Sequence, residues 1–252
     1  MEAPVRASLL LVLALPWPVG CHGDASVRVA AAASLEDWLP GALRAYAEAH
    51  PGARVEATFG GSGALERQIE GDAPVAIFLS ASPRELDRLA AEGRVARQLP
   101  LAENELVLVA PKEGAASLAD LTTPRVRRIA IGQPETVPAG RLARQFLERL
   151  GLWKALEPKL VFAEDVVEVR AWVARGEVEA GFVYRTETAG LSPTSLPGPP
   201  RTELVAALLR GAPASAGELF EFLLADRSRS QLRAAGFAPP PGPPPLVAHA
   251  TP

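Results

Sequence analysis

Short apolar runs alternate with amphipathic stretches of ten to fifteen residues between positions 26 and 238. The apolar runs have the length of buried strands, and the amphipathic stretches have the spacing of helices that bury one face. Strands that alternate with helices in this way predict an α/β fold with mainly parallel strands. The chain of 252 residues is long enough to bury a sizeable core in one large or two small domains.

The pattern predicts eight strands and seven helices. The predicted strands are 27–32, 54–58, 75–79, 105–110, 128–131, 159–162, 180–184 and 203–209. The predicted helices are 35–50, 64–70, 83–92, 117–121, 139–150, 166–175 and 216–225, the last continuing to 235.

The first 25 residues have the pattern of an export signal. Arg6 lies in a short polar start, and the apolar run 7–15 that follows is well short of the ~20 residues that a membrane-spanning helix needs. The only cysteine of the chain, Cys21, follows small residues in a stretch that resembles a bacterial lipobox. We therefore expect either a lipoprotein with a lipid on Cys21 or a signal peptide that is cleaved after Ala25.

Prolines mark two further segments. The run from Pro239 to Pro245 opens a tail, 239–252, that has few backbone donors and is expected to be extended and disordered. A second cluster between Ser192 and Pro200 predicts a stiff loop inside the body.

Composition excludes several classes of function. The formal net charge is −3, with 26 basic and 29 acidic residues, so there is no positive field for a nucleic-acid backbone and we expect no nucleic-acid partner. One cysteine and three histidines are too few for a zinc or iron–sulfur site, so we expect no metal ligands and no cofactor.

Four predicted strand–helix junctions contain small or capping residues: 30–35, 59–64, 136–140 and 162–166. In a parallel sheet such junctions lie at the carboxyl ends of strands, where ligands bind. Each junction also presents free N–H groups and the positive end of a helix dipole. Several of them facing one cleft would hold an anion without a charged side chain.

Two serines in these junctions each have two interpretations. Ser34 precedes Asp37 by three residues, which is the spacing of a helix capping box. Ser62 lies in the glycine-rich stretch 60–63, which is either a flexible turn or a backbone that a ligand can approach closely. A serine hydrolase would need a base beside Ser62, and outside the signal the only histidines are His50, before a proline, and His249, in the tail.

Carboxylate pairs and a tyrosine are the remaining candidates. Glu36-Asp37 and Glu164-Asp165 lie at predicted helix starts, where negative charge favours the helix dipole; we expect these carboxylates to point away from a bound anion. Tyr184 ends an apolar run, with its hydroxyl either at the surface of the core or in a site.

Eight segments, in order along the body, carry a family resemblance: AAASL (31–35), FGGSGALERQI (59–69), IFLSA (77–81), NELVLVAP (104–111), IGQPETVPAG (131–140), PKL (158–160), AEDV (163–166) and AGFVY (180–184). Together they resemble the periplasmic molybdate-binding proteins of ABC transporters. Ala76 and Glu187 depart from the family pattern, in which Asp is common at both places.

The resemblance implies a two-lobed periplasmic-binding-protein fold of type II with the ligand cleft between the lobes. Lobe 1 would comprise 26–104 and 205–238, and lobe 2 would comprise 105–204, with crossovers near 104–107 and 203–205. The family pattern implies that an oxyanion is bound by five residues: the hydroxyl and backbone N–H of Ser34 and Ser62, the backbone N–H of Ala139 and Val166, and the hydroxyl of Tyr184.

The implied function is that of a monomeric, non-enzymatic receptor outside the cytoplasm that delivers molybdate or tungstate to the membrane permease of an ABC importer. These anions, like sulfate, are fully deprotonated at neutral pH and accept hydrogen bonds only, whereas phosphate keeps a proton and favours a site with an acceptor. The five positions supply neutral donors. A receptor for another small oxyanion such as sulfate remains an alternative, and a serine hydrolase is a less favoured one.

Overall fold

The computed structural model describes residues 26–114 and 116–240. The predicted signal at 1–25, the lipidation of Cys21 and the tail beyond residue 240 lie outside the described residues. None of the helices in the described ranges has the length and apolar character that spanning a membrane requires.

Strands and helices alternate along most of the described chain. The strands are β1 (Val27–Ala32), β2 (Val55–Gly60), β3 (Ile77–Ser80), β4 (Val95–Pro111), β5 (Ile129–Gly132), β6 (Leu160–Ala163), β7 (Ala180–Tyr184), β8 (Leu191–Ser195) and β9 (Arg201–Leu209). The α-helices are α1 (Leu39–Ala49), α2 (Ser62–Glu70), α3 (Pro83–Ala91), α4 (Pro138–Arg149), α5 (Trp153–Leu156), α6 (Val166–Ala174), α7 (Ala214–Leu224) and α8 (Asp226–Ala234). Short 3₁₀ helices cover Ala33–Leu35, Asp120–Thr122, Glu157–Lys159 and Arg185–Glu187.

The strands form two sheets that share β4. In the first sheet β1 lies between β2 and β3 in parallel pairs, and β9 joins β3 to the first part of β4 in antiparallel pairs. In the second sheet β5 pairs in parallel with β6 and β7, and the last part of β4 pairs antiparallel with β7 and β8. The α/β class is confirmed, but the prediction of mainly parallel strands is wrong for β4 and β9, because the strands that connect the sheets run as an antiparallel pair.

Strand β4 changes partners near the predicted crossover. Residues 95–105 pair with β9, and from Leu106 onward the strand pairs with β7. We call the first sheet with α1–α3, α7 and α8 the first lobe, and the second sheet with α4–α6 the second lobe. The exact lobe boundaries stay predictions.

Three predicted segments differ from the structure. The predicted helix 117–121 is replaced by the 3₁₀ helix Asp120–Thr122. The side chains of Ser117 and Asp120 accept from each other's backbone N–H, and a proline follows. The proline-rich loop contains β8, whose Pro193 lies opposite Val109; an edge strand tolerates the missing N–H. The final helix is broken at Ala225, whose ψ of 155° ends α7 before α8 begins.

Apolar packing covers both faces of the first sheet and forms a separate core in the second lobe. On one face of the first sheet Ile77 packs with residues of α1 and α7, and on the other its neighbour Phe78 packs with residues of α2 and α3. The core of the second lobe is built around residues such as Phe146 and Phe182 and also includes Ala33 of the first lobe. The two lobes therefore make direct apolar contact where the strands end.

Candidate functional site

A small cavity lies where the two lobes meet. Its volume is about 10 Å³, far below the ~300–1,000 Å³ of sites for drug-sized molecules. The cavity therefore excludes a drug-sized molecule. Its lining residues are Ala32, Ala33, Ser34, Gly60, Gly61, Ser62, Ala81, Val137, Pro138, Ala139, Asp165, Val166 and Tyr184.

All five predicted site residues line this one cavity. Ser34 follows β1 and Ser62 follows β2 in the first lobe. Ala139, Val166 and Tyr184 follow or end strands β5, β6 and β7 in the second lobe. Because these strands are parallel within each sheet, their carboxyl ends converge on the cavity, as in other open α/β sheets.

Three helices begin at the cavity. Ser62 is the first residue of α2, Ala139 is the second of α4 and Val166 is the first of α6. Backbone N–H groups in a first turn have no acceptor within their own helix, and the helix dipole makes this end positive. The positive ends of three helices thus meet at a cavity whose lining contains no lysine or arginine.

Two side-chain hydroxyls at the cavity have no hydrogen-bond partner among the described residues. The Oγ of Ser34 and the phenolic oxygen of Tyr184 are both buried and unpaired. Burial raises the pKa of Tyr184, so the hydroxyl keeps its proton and can donate. A buried hydroxyl without a partner costs about 1–3 kcal/mol, and an anion in the cavity would remove this penalty.

Ser62 is held differently from Ser34. Its Oγ accepts a hydrogen bond from the backbone N–H of Ala81 at 3.0 Å. Since the oxygen is used as an acceptor, the hydroxyl proton remains free to donate. The hydroxyls of Ser34, Ser62 and Tyr184 are thus available as donors.

The capping interpretation of Ser34 is wrong. Ala32 occupies the N-cap of the 3₁₀ helix Ala33–Leu35, and no side chain caps this helix. Asp37 instead forms an ion pair with Arg170 of the second lobe.

The glycines around Ser62 allow the two lobes to touch. The N–H of Gly63 donates to the carbonyl of Thr136 at 2.8 Å. A Cβ on Gly61 would lie 2.8 Å from the carbonyl oxygen of Glu164, closer than side chains tolerate. The sequence predicted close approach by a ligand at these glycines, whereas in the structure the backbone of the second lobe approaches them.

Asp165 is the one charged residue of the lining. Its Oδ1 accepts from the N–H of Glu168 at 2.9 Å and so caps α6, a role that its spacing to Glu168 could have indicated. Glu36, Asp37 and Glu164 are exposed and absent from the lining, as expected, whereas Asp165, for which the same was expected, lines the cavity.

The lining contains neither histidine nor lysine, so neither of these bases lies beside Ser62 in the cavity. Among the described residues no cluster of His, Cys, Asp or Glu side chains has the composition of a metal site. The hydroxyls and backbone N–H groups of the lining are hydrogen-bond donors.

The two departures from the family pattern lie in ordered surroundings. Ala76 is buried, and its N–H donates to the carbonyl of Arg28. Glu187 is buried and pairs with Arg170 at 3.1 Å; burial raises the pKa of Glu187 to about 7, and Arg170 opposes this effect.

Sequence reasoning missed a buried ion pair beside the site. Glu85 on α3 and Arg141 on α4 lie 2.6 Å apart, although 56 positions separate them in the chain. Each occupies an ordinary helix position, so no local signal marks the pair.

Comparison with known proteins identifies the family. A model of the bacterial extracellular solute-binding proteins matches residues 27–238. The molybdate-binding protein ModA of Escherichia coli is 35% identical over 175 residues, covering 65% of this chain and 67% of that protein. The putative ABC transporter substrate-binding lipoprotein YvgL of Bacillus subtilis is 34% identical over 165 residues, so the chain spans 64% of that relative's length and the match covers 64% of this chain.

A solved structure shows the same fold. The periplasmic molybdate-binding protein of Azotobacter vinelandii superposes with a TM-score of 0.78 at 24% identity, covering 86% of this chain and all of that one. This similarity confirms the predicted two-lobed periplasmic-binding-protein fold. The chain belongs to the family of bacterial extracellular solute-binding proteins.

Proposed function

We propose that this protein captures molybdate or tungstate outside the cytoplasm and delivers it to the membrane permease of an ABC importer. The observation that carries the proposal is the pair of buried, unpaired hydroxyls of Ser34 and Tyr184 in a cavity at the ends of three helices. Buried polar groups are rarely left without partners. A ligand that accepts hydrogen bonds is the missing partner.

The donor set favours a fully deprotonated oxyanion. Three hydroxyls and the backbone N–H groups of Ser62, Ala139 and Val166 surround the cavity, so each of these six groups can donate a hydrogen bond to a ligand. The one carboxylate of the lining, on Asp165, is engaged by its own helix. Hydrogen phosphate carries a proton that needs an acceptor, so it is disfavoured relative to molybdate, tungstate or sulfate.

The expected affinity follows from the number of donors. Hydrogen bonds to a charged group contribute about 1.5–3 kcal/mol each, so the six donors give roughly 9–18 kcal/mol before the costs of ordering and closure. A micromolar complex corresponds to about 8 kcal/mol. We infer micromolar or tighter binding.

Closure would couple binding to transport. Donors from both lobes engage one anion, so the ligand stabilises the closed state over an open one. The closed form is then the form that the permease receives. The named ligand of the Escherichia coli relative supports molybdate in particular.

Sulfate is the second candidate, because it presents the same acceptors on a smaller ion. Calorimetric titration of the chain without residues 1–25 with molybdate, tungstate, sulfate and phosphate distinguishes the cases. We expect molybdate and tungstate to bind at micromolar concentration or below. A stronger response to sulfate would change the ligand, and no response to any of the first three at millimolar concentration would refute the proposal.

A further inference from the structure

One buried ion pair crosses from the first lobe to the second beside the cavity. Glu85 lies on α3 and is fully buried, and Arg141 lies on α4 with its side chain 14% exposed. The Nη2 of Arg141 donates to Oε1 of Glu85 at 2.6 Å. The pair therefore joins a helix of the first lobe to the helix that carries Ala139.

Arg141 depends on the first lobe for its contacts. Besides Glu85, its Nη2 lies 3.4 Å from the Oγ of Ser82, which caps α3. The other nitrogen, Nη1, and Oε2 of Glu85 are buried without a hydrogen-bond partner among the described residues. If the lobes separated, both charged groups would lose their partner and gain water.

The pair also lies close to the ligand cavity. Arg141 is two residues after Ala139 in the first turns of α4. Burial is the main cause that raises the pKa of Tyr184, while the charge of Arg141 lowers it and that of Glu85 raises it. Both charges are thus near enough to act on a hydroxyl that lines the cavity.

A second ion pair between the lobes provides a contrast. Arg170 of α6 lies 3.2 Å from Asp37 of the first lobe, but the side chain of Asp37 is 68% exposed. Exposed pairs contribute little because water screens them. In a buried pair, by contrast, loss of one partner leaves the other charge without compensation.

We propose that Glu85 and Arg141 are positioning residues that form their ion pair on lobe closure and thereby set the affinity for the bound anion. The inference rests on the proposed function, since it assumes an anion that closes the lobes. In the open state each charge is solvated, whereas in the closed state each needs the other. Removal of one partner therefore penalises the closed state alone, and removal of both relieves most of that penalty.

A double-mutant cycle tests the inference. The variants are Glu85→Leu, Arg141→Met and the double variant, with Asp37→Ala as the control at the exposed pair. Affinity for molybdate is measured by calorimetry, and the dissociation rate by stopped-flow fluorescence. We expect each single variant to bind about 10-fold more weakly or worse and to release the anion faster, with the double variant closer to the wild type than either single variant.

Two further measurements distinguish a role in lobe closure from a role in folding: the affinity of the control variant and the thermal unfolding of the ligand-free proteins. Asp37→Ala should bind within about twofold of the wild type. Without anion, the single variants should unfold within about 2–4 °C of the wild type, the range of a ~1 kcal/mol change. If Glu85→Leu does not fold, the isosteric Glu85→Gln takes its place with the same expectation.

The outcomes separate the inference from the proposed function. The inference alone is overturned if the single variants bind molybdate as tightly as the wild type. It is also overturned if the loss of affinity in the double variant equals the sum of the losses in the two single variants. A wild-type protein that binds none of molybdate, tungstate and sulfate would overturn the proposed function and the inference with it.

Discussion

Replacing Tyr184 with phenylalanine removes one oxygen from the site and leaves the shape of the side chain unchanged. The phenolic hydroxyl is buried at the cavity and has no hydrogen-bond partner among the described residues. Whenever the lobes are closed and the hydroxyl has no acceptor, it carries a desolvation cost of about 1–3 kcal/mol. With an anion bound, the same group should contribute about 1.5–3 kcal/mol as a donor to a charge.

The variant Tyr184→Phe should therefore change stability and affinity in opposite directions. We expect the ligand-free protein to be as stable as the wild type or more stable, and the affinity for molybdate to fall about 10- to 150-fold. Thermal unfolding without ligand measures the first effect, and calorimetric titration measures the second.

The other tyrosine of the chain serves as the matched control. Tyr46 is buried in the core of the first lobe, away from the cavity, so Tyr46→Phe should leave the affinity unchanged. Equal affinity of Tyr184→Phe and the wild type would refute the role of the hydroxyl as a donor. A clear loss of ligand-free stability in Tyr184→Phe would show that the hydroxyl has a partner within the protein.

Three further variants test other parts of the site. Ser62→Ala should weaken molybdate binding and, unlike Tyr184→Phe, also destabilise the ligand-free protein, because the N–H of Ala81 loses its acceptor; unchanged unfolding would contradict this. Gly61→Ala should weaken molybdate binding by opposing lobe closure, because its Cβ would lie 2.8 Å from a carbonyl oxygen of the second lobe. The control Gly217→Ala, whose Cβ would meet open space, should leave binding unchanged. Burial raises the pKa of Glu187 from 4.5 to about 7, so the folded protein keeps a proton that the unfolded chain loses. The free energy of unfolding should therefore fall as pH rises from about 4.5 to 7. If a Glu187→Gln variant shows the same dependence of unfolding free energy on pH, Glu187 is not its cause.

The sequence located the site because each junction is a local pattern. Ser34, Ser62, Ala139, Val166 and Tyr184 all stand where an apolar run ends, and the end of a parallel strand is where a ligand site forms. The resemblance to a known family selected these five from the other residues of the junctions, and the structure brings them to one cavity. That they bind the anion remains a prediction.

The contacts that the sequence did not reveal are long-range. Nothing local distinguishes Glu85 and Arg141 from exposed helix residues, since only the approach of the two lobes brings them together. The proline cluster after residue 191 indicated a loop, but the free edge of β4 pairs with it as a strand. Ser34 has the spacing of a cap, yet the turn begins two residues earlier, at Ala32.

We expect one oxyanion to occupy the cavity between the lobes. A crystal structure of the protein grown with molybdate, with anomalous data collected at the molybdenum edge, shows where the anion binds. We predict one anomalous peak in this cavity, with oxygen atoms about 2.7–3.2 Å from the hydroxyls of Ser34 and Tyr184 and from the N–H groups of Ala139 and Val166. An empty cavity, or a molybdenum peak only elsewhere on the protein, would show that these residues do not bind the anion.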